Sequence, residues 1–270
     1  MGAGREVIAA LPMYDRPENA AAHDRLWAAV RDGLRARGVA APDALDRGLS
    51  PAEGWARPDL VLGQICNLPW RALFRGRVTI VAAADHAVEG CAPGFYRSVI
   101  VARADDPAPG DRFALNEPLS NSGWDMPQAW ARAEGRPLRP VLATGSHRAS
   151  ALAVAEGRAD LAGIDAVTWS LLRRWEGWTA RLRVLALTEP SPGMTFVCAP
   201  GHDPAPLRAA LERAIGGLSA EDRAALGELR GLADLPPSAY DRPLPPPPDL
   251  PAVASAADLP SAGPASRESA

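Results

Sequence analysis

Lysine is absent from this 270-residue chain, so all 29 basic residues are arginines. Against 32 acidic residues they leave a formal net charge of −3. That balance excludes a general nucleic-acid binder, which needs a basic face to displace counter-ions from phosphates. Arginine without lysine has two readings. One is selection for bidentate recognition of anions; the other is a GC-rich genome, which enriches Arg, Ala, Gly and Pro together, and the Ala and Pro content favours it. Cysteine and histidine are also scarce: Cys66, Cys91 and Cys198 and four scattered histidines form no CxxC pair and no metal-ligand spacing, so neither a metal nor a cofactor is expected. Cys66 and Cys91 each follow a predicted strand and can meet in a folded cleft, but small buried thiols are the commoner case. Long apolar runs are missing too, which excludes a membrane-spanning helix. The first 12 residues carry one early Arg and a short apolar run at 7–11, too brief for a signal-peptide core. The address expected from Met1 is therefore cytoplasmic, and it becomes periplasmic if an upstream signal peptide is missing from the sequence. No nucleophile elbow, P-loop or dinucleotide glycine pattern appears.

What is present is an ordinary globular composition, 47% hydrophobic and 23% charged, enough for two modest lobes or one large domain. A first strand at 7–11 is followed by Asp15, Pro17 and Glu18, a helix-start signature of cap, first-turn proline and third-position acid. Leu26, Trp27, Val30 and Leu34 then recur at helical spacing up to Gly38. Short apolar runs at 59–63 and 78–84 read as strands buried on both faces of a parallel sheet. The run YRSVIVA at 96–102 is the strongest strand, and DDPAPG at 105–110 breaks the chain after it. Further strands are expected at 112–116, 139–143 and 159–164, with helices near 125–133, 146–156 and 166–174. Asp125 with Gln128 fits a capping pair for the first of these helices. Strands at 183–187 and 194–198 lead back through the PSPG turn at 190–193, the expected hinge. Asp203 and Ser219 open two closing helices, the first carrying Leu207, Leu211 and Ile215. Beyond 235 the chain is Pro-rich and poor in bulky apolar residues, which predicts a disordered tail, passive or a polyproline ligand for a partner domain.

The stretch TGSHRAS at 144–150 carries the most functional information. It sets Ser146 and His147 on the first turn of a helix whose backbone N–H groups lack internal partners. Dipole, free donors, hydroxyl and a protonatable imidazole converge there, which suits phosphate, phosphonate, sulfonate or carboxylate. The plain alternative is a serine cap followed by an exposed histidine.

Taken in order, the segments LPMYD at 11–15, QICN at 64–67, Gly90-Cys91 with Tyr96, NEPLSNSG at 116–123, TGSHRAS and GIDAVTW at 163–169 resemble the phosphate/phosphonate-type substrate-binding proteins of ABC transporters. The resemblance implies an α/β, two-lobed, type 2 periplasmic binding protein-like fold with a ligand cleft between the lobes. It implies residues 1–103 as the first part of lobe 1, 104–189 as lobe 2, 190–240 as the return to lobe 1 and 241–270 as the tail. In that family Ser120, Asn121 and Ser122 would offer donors to an acidic head group, with Ser146 and His147 on the neighbouring helix start. Tyr14, Gln64 and Tyr96 would come from the opposing lobe, and Asp165 would face the cleft toward a cationic or hydroxyl part of the ligand. Ser120 and Ser122 can equally shape a turn, Tyr14 can be packing, and Asp165 can cap the helix after it. Trp124 and Trp169 read as core rather than as a stacking wall. A helix start at Asp125, away from the serines, would weaken the dipole on that side.

The implied function is non-catalytic capture of a small anion, phosphate, phosphonate or similar, for an ABC permease or as a soluble sensor, with no nucleic acid and no membrane span. The alternative is an enzyme on the same fold using His147, Asp165 and Cys66. A third reading is an effector-binding module of a cytoplasmic regulatory complex.

Overall fold

The computed structural model describes residues 7–250. The strands are β1 (Ile8–Ala10), β2 (Leu60–Ile65), β3 (Thr79–Asp85), β4 (Phe95–Tyr96), β5 (Ser98–Arg103), β6 (Arg112–Leu115), β7 (Arg139–Ala143), β8 (Leu161–Asp165), β9 (Leu182–Leu187), β10 (Ser191–Pro192), β11 (Thr195–Cys198) and β12 (Gly231–Ala233). The main helices are α1 (Ala20–Arg35), α2 (Pro51–Ala56), α3 (Asn67–Pro69, running into a π turn Trp70–Phe74), α4 (Met126–Ala133), α5 (His147–Ala155), α6 (Ala166–Trp175), α7 (Pro204–Gly216) and α8 (Ala220–Ala225).

Two five-stranded sheets define two lobes, ordered β1-β2-β11-β3-β12 and β7-β6-β8-β5-β9. The connections between them run side by side as a short antiparallel ladder, Ser191 opposite Tyr96 and Pro192 opposite Phe95. The expected hinge at 190–193 is one of its two strands. Ser98–Arg103, which sequence placed at the end of lobe 1, pairs with β8 and β9 in the second sheet. The lobe boundary therefore falls at the hinge, because YRSVIVA is a single apolar run that spans it, and apolarity does not say which sheet a strand joins.

Parallel sheets were the expectation from the apolar runs, and the structure corrects it. β11 lies antiparallel to both β2 and β3, and β5 lies antiparallel to both β8 and β9. Strands that enter a sheet through the hinge run against the strands laid down by β-α-β units. Burial on both faces makes either direction apolar.

Lobe 1 is held by the stripe Leu26, Trp27, Val30 and Leu34 of α1 packed with Leu207, Leu211 and Ile215 of α7. Such a side chain contributes about 1.5–3 kcal/mol on full burial. In lobe 2 one sheet face buries Val99, Val101, Val154, Ile164 and Trp169, and the other buries Ile100, Phe113, Leu115 and Trp124. Both tryptophans expected in the core are there.

Two helix starts differ from the expectation. Asp15 does not open α1; the helix starts after Asn19, whose side chain makes no capping bond to it. The Asn19 side chain accepts from Arg16 N at 2.8 Å and donates to Tyr14 O at 3.0 Å, folding 14–19 into a turn. Asp125 has no capping role either. A π turn, Asn121–Asp125, precedes α4, and Ser120 caps it by accepting from Gly123 N at 2.9 Å. The helix therefore does begin at the serines, and the weakening of the dipole expected from a start at Asp125 is removed.

The Pro-rich segment is also corrected over 241–250. Trp124 Nε1 donates to Pro246 O at 2.8 Å, Arg71 donates to Pro243 O at 3.3 Å, and Leu250 packs on the outer core of lobe 2. Polyproline has little backbone entropy to lose, so a few contacts hold it in place. The rest of the expected tail, 251–270, lies outside the described residues.

Candidate functional site

A cleft of about 780 Å³ lies between the lobes. Lobe 1 lines it with the turn after β1, the start of α2 and the π turn after α3; lobe 2 contributes the loop 116–122, the start of α5 and the junction of β8 with α6. Of the residues singled out by sequence, the structure brings Tyr14, Ser120, Ser122, Ser146, His147 and Asp165 to this cleft.

Two helix starts converge there. Ser146 caps α5 by accepting from Ala149 N at 3.1 Å, which leaves His147 N–H and Arg148 N–H at the cleft without an intrahelical acceptor. Ser122 Oγ lies 2.8 Å from His147 Nε2, and His147 Nδ1 lies 3.2 Å from Gly163 O. A carbonyl only accepts, so Nδ1 carries the proton and Nε2 accepts from the serine hydroxyl. Burial pushes the imidazole pKa down to about 4. The protonatable imidazole expected from sequence is thus corrected to a neutral ring that orients Ser122.

Glycine makes this approach possible at two positions. A Cβ on Gly163 would come within 2.9 Å of Ser122 O and 2.3 Å of Pro127 Cγ, and a Cβ on Gly123 would lie 1.8 Å from Asn116 Oδ1. Gly163 thus lets β8 approach the backbone of the π turn, and Gly123 leaves room for the Asn116 side chain.

Asp165 both caps and faces the cleft. Its Oδ1 accepts from Val167 N at 2.7 Å and Thr168 N at 3.0 Å, while Oδ2 accepts from Tyr14 Oη of the opposite lobe at 2.8 Å. Burial raises the Asp165 pKa to about 6, and those hydrogen bonds oppose the rise. Burial, with Asp165 beside it, holds the Tyr14 phenol protonated far above its ordinary range.

Gln64, Tyr96 and Asn121 do not line the cleft; Tyr96 and Asn121 lie in a polar seam at the hinge. Asn121 Nδ2 donates to Tyr96 Oη at 3.2 Å and to Ser191 Oγ at 3.0 Å. The Gln64 carbonyl accepts from Trp55 Nε1 at 2.7 Å, and its side-chain Oε1 is buried without a protein partner.

Sequence reasoning missed the charged pairs that join the lobes. Arg16 of lobe 1 meets Glu176 of lobe 2 at 2.8 Å, and Arg148 meets the same carboxylate. These arginines and Trp178 hold Glu176 down at about 2. Arg71 and Asp125, both buried, form a second interlobe pair at 2.6 Å. Partners so far apart in sequence leave no local signal. Asn116 and Glu117, by contrast, lie within the quoted NEPLSNSG motif and line the cleft; burial raises the Glu117 pKa.

Among the described residues the cleft carries no uncompensated cation. Arg16 and Arg148 share Glu176, and Asp15, Glu18, Glu117 and Asp165 are further acids in its wall. Cys66 is a free thiol whose pKa burial pushes up to about 12, the wrong direction for a nucleophile. Cys91 and Cys198 are also unpaired. Among the described residues no three His, Cys, Asp or Glu side chains gather into a metal site.

A family model for the phosphonate periplasmic substrate-binding proteins of ABC transporters matches residues 62–241. The chain belongs to that family. The binding protein is accordingly non-catalytic, and its family is periplasmic and works with ABC permeases. Among solved structures it is similar to a Xanthomonas citri protein bound to ATP (TM-score 0.64, 17% identity, covering 86% of this chain and 92% of that one). It is also similar to PhnD1 from Prochlorococcus marinus in complex with methylphosphonate (TM-score 0.64, 15% identity, 87% and 94% covered). A third similar structure is a binding protein component of an ABC phosphonate transporter from Pseudomonas aeruginosa (TM-score 0.57, 19% identity, 83% and 79% covered). At these identities the likeness concerns the two-lobed fold. No curated protein matches the chain by sequence. Among the described residues no helix of the binding protein is long and apolar enough to cross a membrane.

Proposed function

We propose that the binding protein closes on the anionic head of a small phosphonate- or phosphate-type ligand in the interlobe cleft and delivers it to an ABC permease. The observation that carries this reading is the convergence of the π turn at Asn121–Asp125 and the start of α5, linked by the 2.8 Å contact of Ser122 with His147. Both present backbone N–H groups and hydroxyls to one point, where helix dipoles favour negative charge. Every arginine in the cleft wall is already paired with a carboxylate, so neutral donors hold the head group. Ser120, Ser122, Ser146 and His147 are its proposed contacts, with Asp165 and Tyr14 closing the cleft over it. Tyr96 and Asn121 support this site from the hinge.

Titration calorimetry with methylphosphonate, phosphate and a sulfonate tests the assignment. Ser146→Ala removes a hydroxyl whose own proton is free for an anion, since its Oγ only accepts from Ala149 N, and weakens binding about tenfold or more. Lack of heat and of thermal stabilisation with all three anions overturns it. A permease role requires the periplasm, whereas a sensor role does not. Fractionation of cells carrying the native gene separates the two.

A further inference from the structure

The anion site occupies a small part of the cleft. At about 30 Å³ per water-sized group, 780 Å³ has room for roughly 25 such groups. Facing the serines, lobe 1 presents Trp55, Leu73, Phe74, Met13 and Pro69. The Trp55 and Phe74 rings pack edge to face, with centroids 5.3 Å apart, which fixes that wall. Five large apolar side chains are exposed among the described residues, and two of them, Leu73 (49%) and Leu119 (39%), line this cleft from opposite lobes.

The polar groups of the lobe 1 wall are meanwhile committed elsewhere. Tyr14 Oη donates to Asp165, Arg16 pairs with Glu176, Trp55 Nε1 donates to Gln64 O, and Ser50 Oγ bonds Glu53. A neutral polar substituent laid against Trp55, Phe74 and Leu73 meets apolar surface and loses its water, which costs binding energy, whereas a cationic one would have to reach past them to the carboxylates of Asp15, Glu18 or Glu117. An apolar one covers Leu73 and Leu119 and gains binding energy.

We infer that the ligand is a phosphonate or phosphate monoester carrying a bulky apolar substituent, aryl or branched alkyl, which lies between Leu73 and Leu119 against the Trp55–Phe74 wall. This rests on the anion reading of the same cleft, and the two fail differently.

The test is calorimetric comparison of methylphosphonate, 2-aminoethylphosphonate and phenylphosphonate. Phenylphosphonate binds at least roughly tenfold tighter than methylphosphonate, the increment expected for burying an aryl face. The double variant L73N/L119N, altered at half-exposed positions that the core does not need, reduces the phenyl-to-methyl affinity ratio by about fivefold. S146A instead lowers both affinities together. Equal affinities for methyl and phenyl, tighter binding of the aminoethyl compound than of the phenyl one, or a ratio unchanged in L73N/L119N each overturn the inference while leaving the anion site standing. Failure of all three phosphonates to bind overturns both.

Discussion

Removing one hydroxyl tests the contact that joins the lobes at the cleft. Tyr14→Phe deletes the Oη–H that Tyr14 donates to Asp165 Oδ2 at 2.8 Å, and leaves the ring with its edge-to-face packing on His86. Asp165 is 1% exposed, so no water replaces the lost donor. A hydrogen bond to a buried carboxylate is worth about 1.5–3 kcal/mol, and that is the expected loss in urea denaturation at pH 7, where a pKa of about 6 leaves Asp165 mostly ionised. Below that pKa the carboxyl is mostly neutral, and the charge-assisted part of the bond is gone. At pH 5 the same substitution then costs only about 0.5–1.5 kcal/mol. The wild-type Asp165 pKa, raised from 3.8 to about 6, makes its own contribution to stability fall as pH rises through that window. Tyr14→Phe raises the Asp165 pKa further and extends that fall upward. Denaturation at both pH values, with Asp165→Asn completing a double-mutant cycle, measures the coupling. The same stability loss at pH 5 and pH 7, or zero coupling energy, refutes the reasoning.

Other perturbations report on separate parts of the molecule. His86 and His147, both depressed from 6.5 to about 4, are neutral in the fold but protonate in the unfolded chain. Their contribution is therefore full above 6.5 and is lost as pH falls toward 4, and His86→Gln flattens the dependence of the denaturation midpoint over that range. Arg71→Met leaves the buried Asp125 carboxylate with only the more distant Arg242, at 3.8 Å, and thermal melts should show a loss of about 3–5 kcal/mol, part of which the double variant R71M/D125L recovers. Gly163→Ala drives a Cβ against Ser122 O and Pro127, so about 1–3 kcal/mol of stability is lost in urea denaturation, and methylphosphonate affinity falls with it. Trp124→Phe removes the donor to Pro246 O and frees 241–250, read as faster proteolytic cleavage in that segment with about 0.5–1.5 kcal/mol lost in a melt.

Sequence alone determined the elements of this protein and much of its cleft. The strand at 139–143 and the helix start at Ser146 come from apolar period and capping chemistry, which are local, and the structure reproduces them. TGSHRAS was legible from helix-start chemistry, which needs a small polar cap at a fixed place, whereas the serine loop and GIDAVTW stood out only through their resemblance to segments of a known family. Pairing was decided only in the tertiary structure. Strand direction depends on which lobe a strand enters from, so β5 and β11 run antiparallel to their neighbours although their residues fit either direction. The charge state of His147 depends on burial and on Gly163 O, sixteen residues away, and a histidine in sequence carries neither. Arg16 with Glu176 and Arg71 with Asp125 became partners because closing two lobes brings distant side chains within Coulomb range, where desolvation makes unpaired charge costly. The tail shows the same division: low apolar content predicts no independent structure, yet over 241–250 a chain already stiffened by proline needed only an indole N–H and an apolar ledge from the other lobe to lie flat.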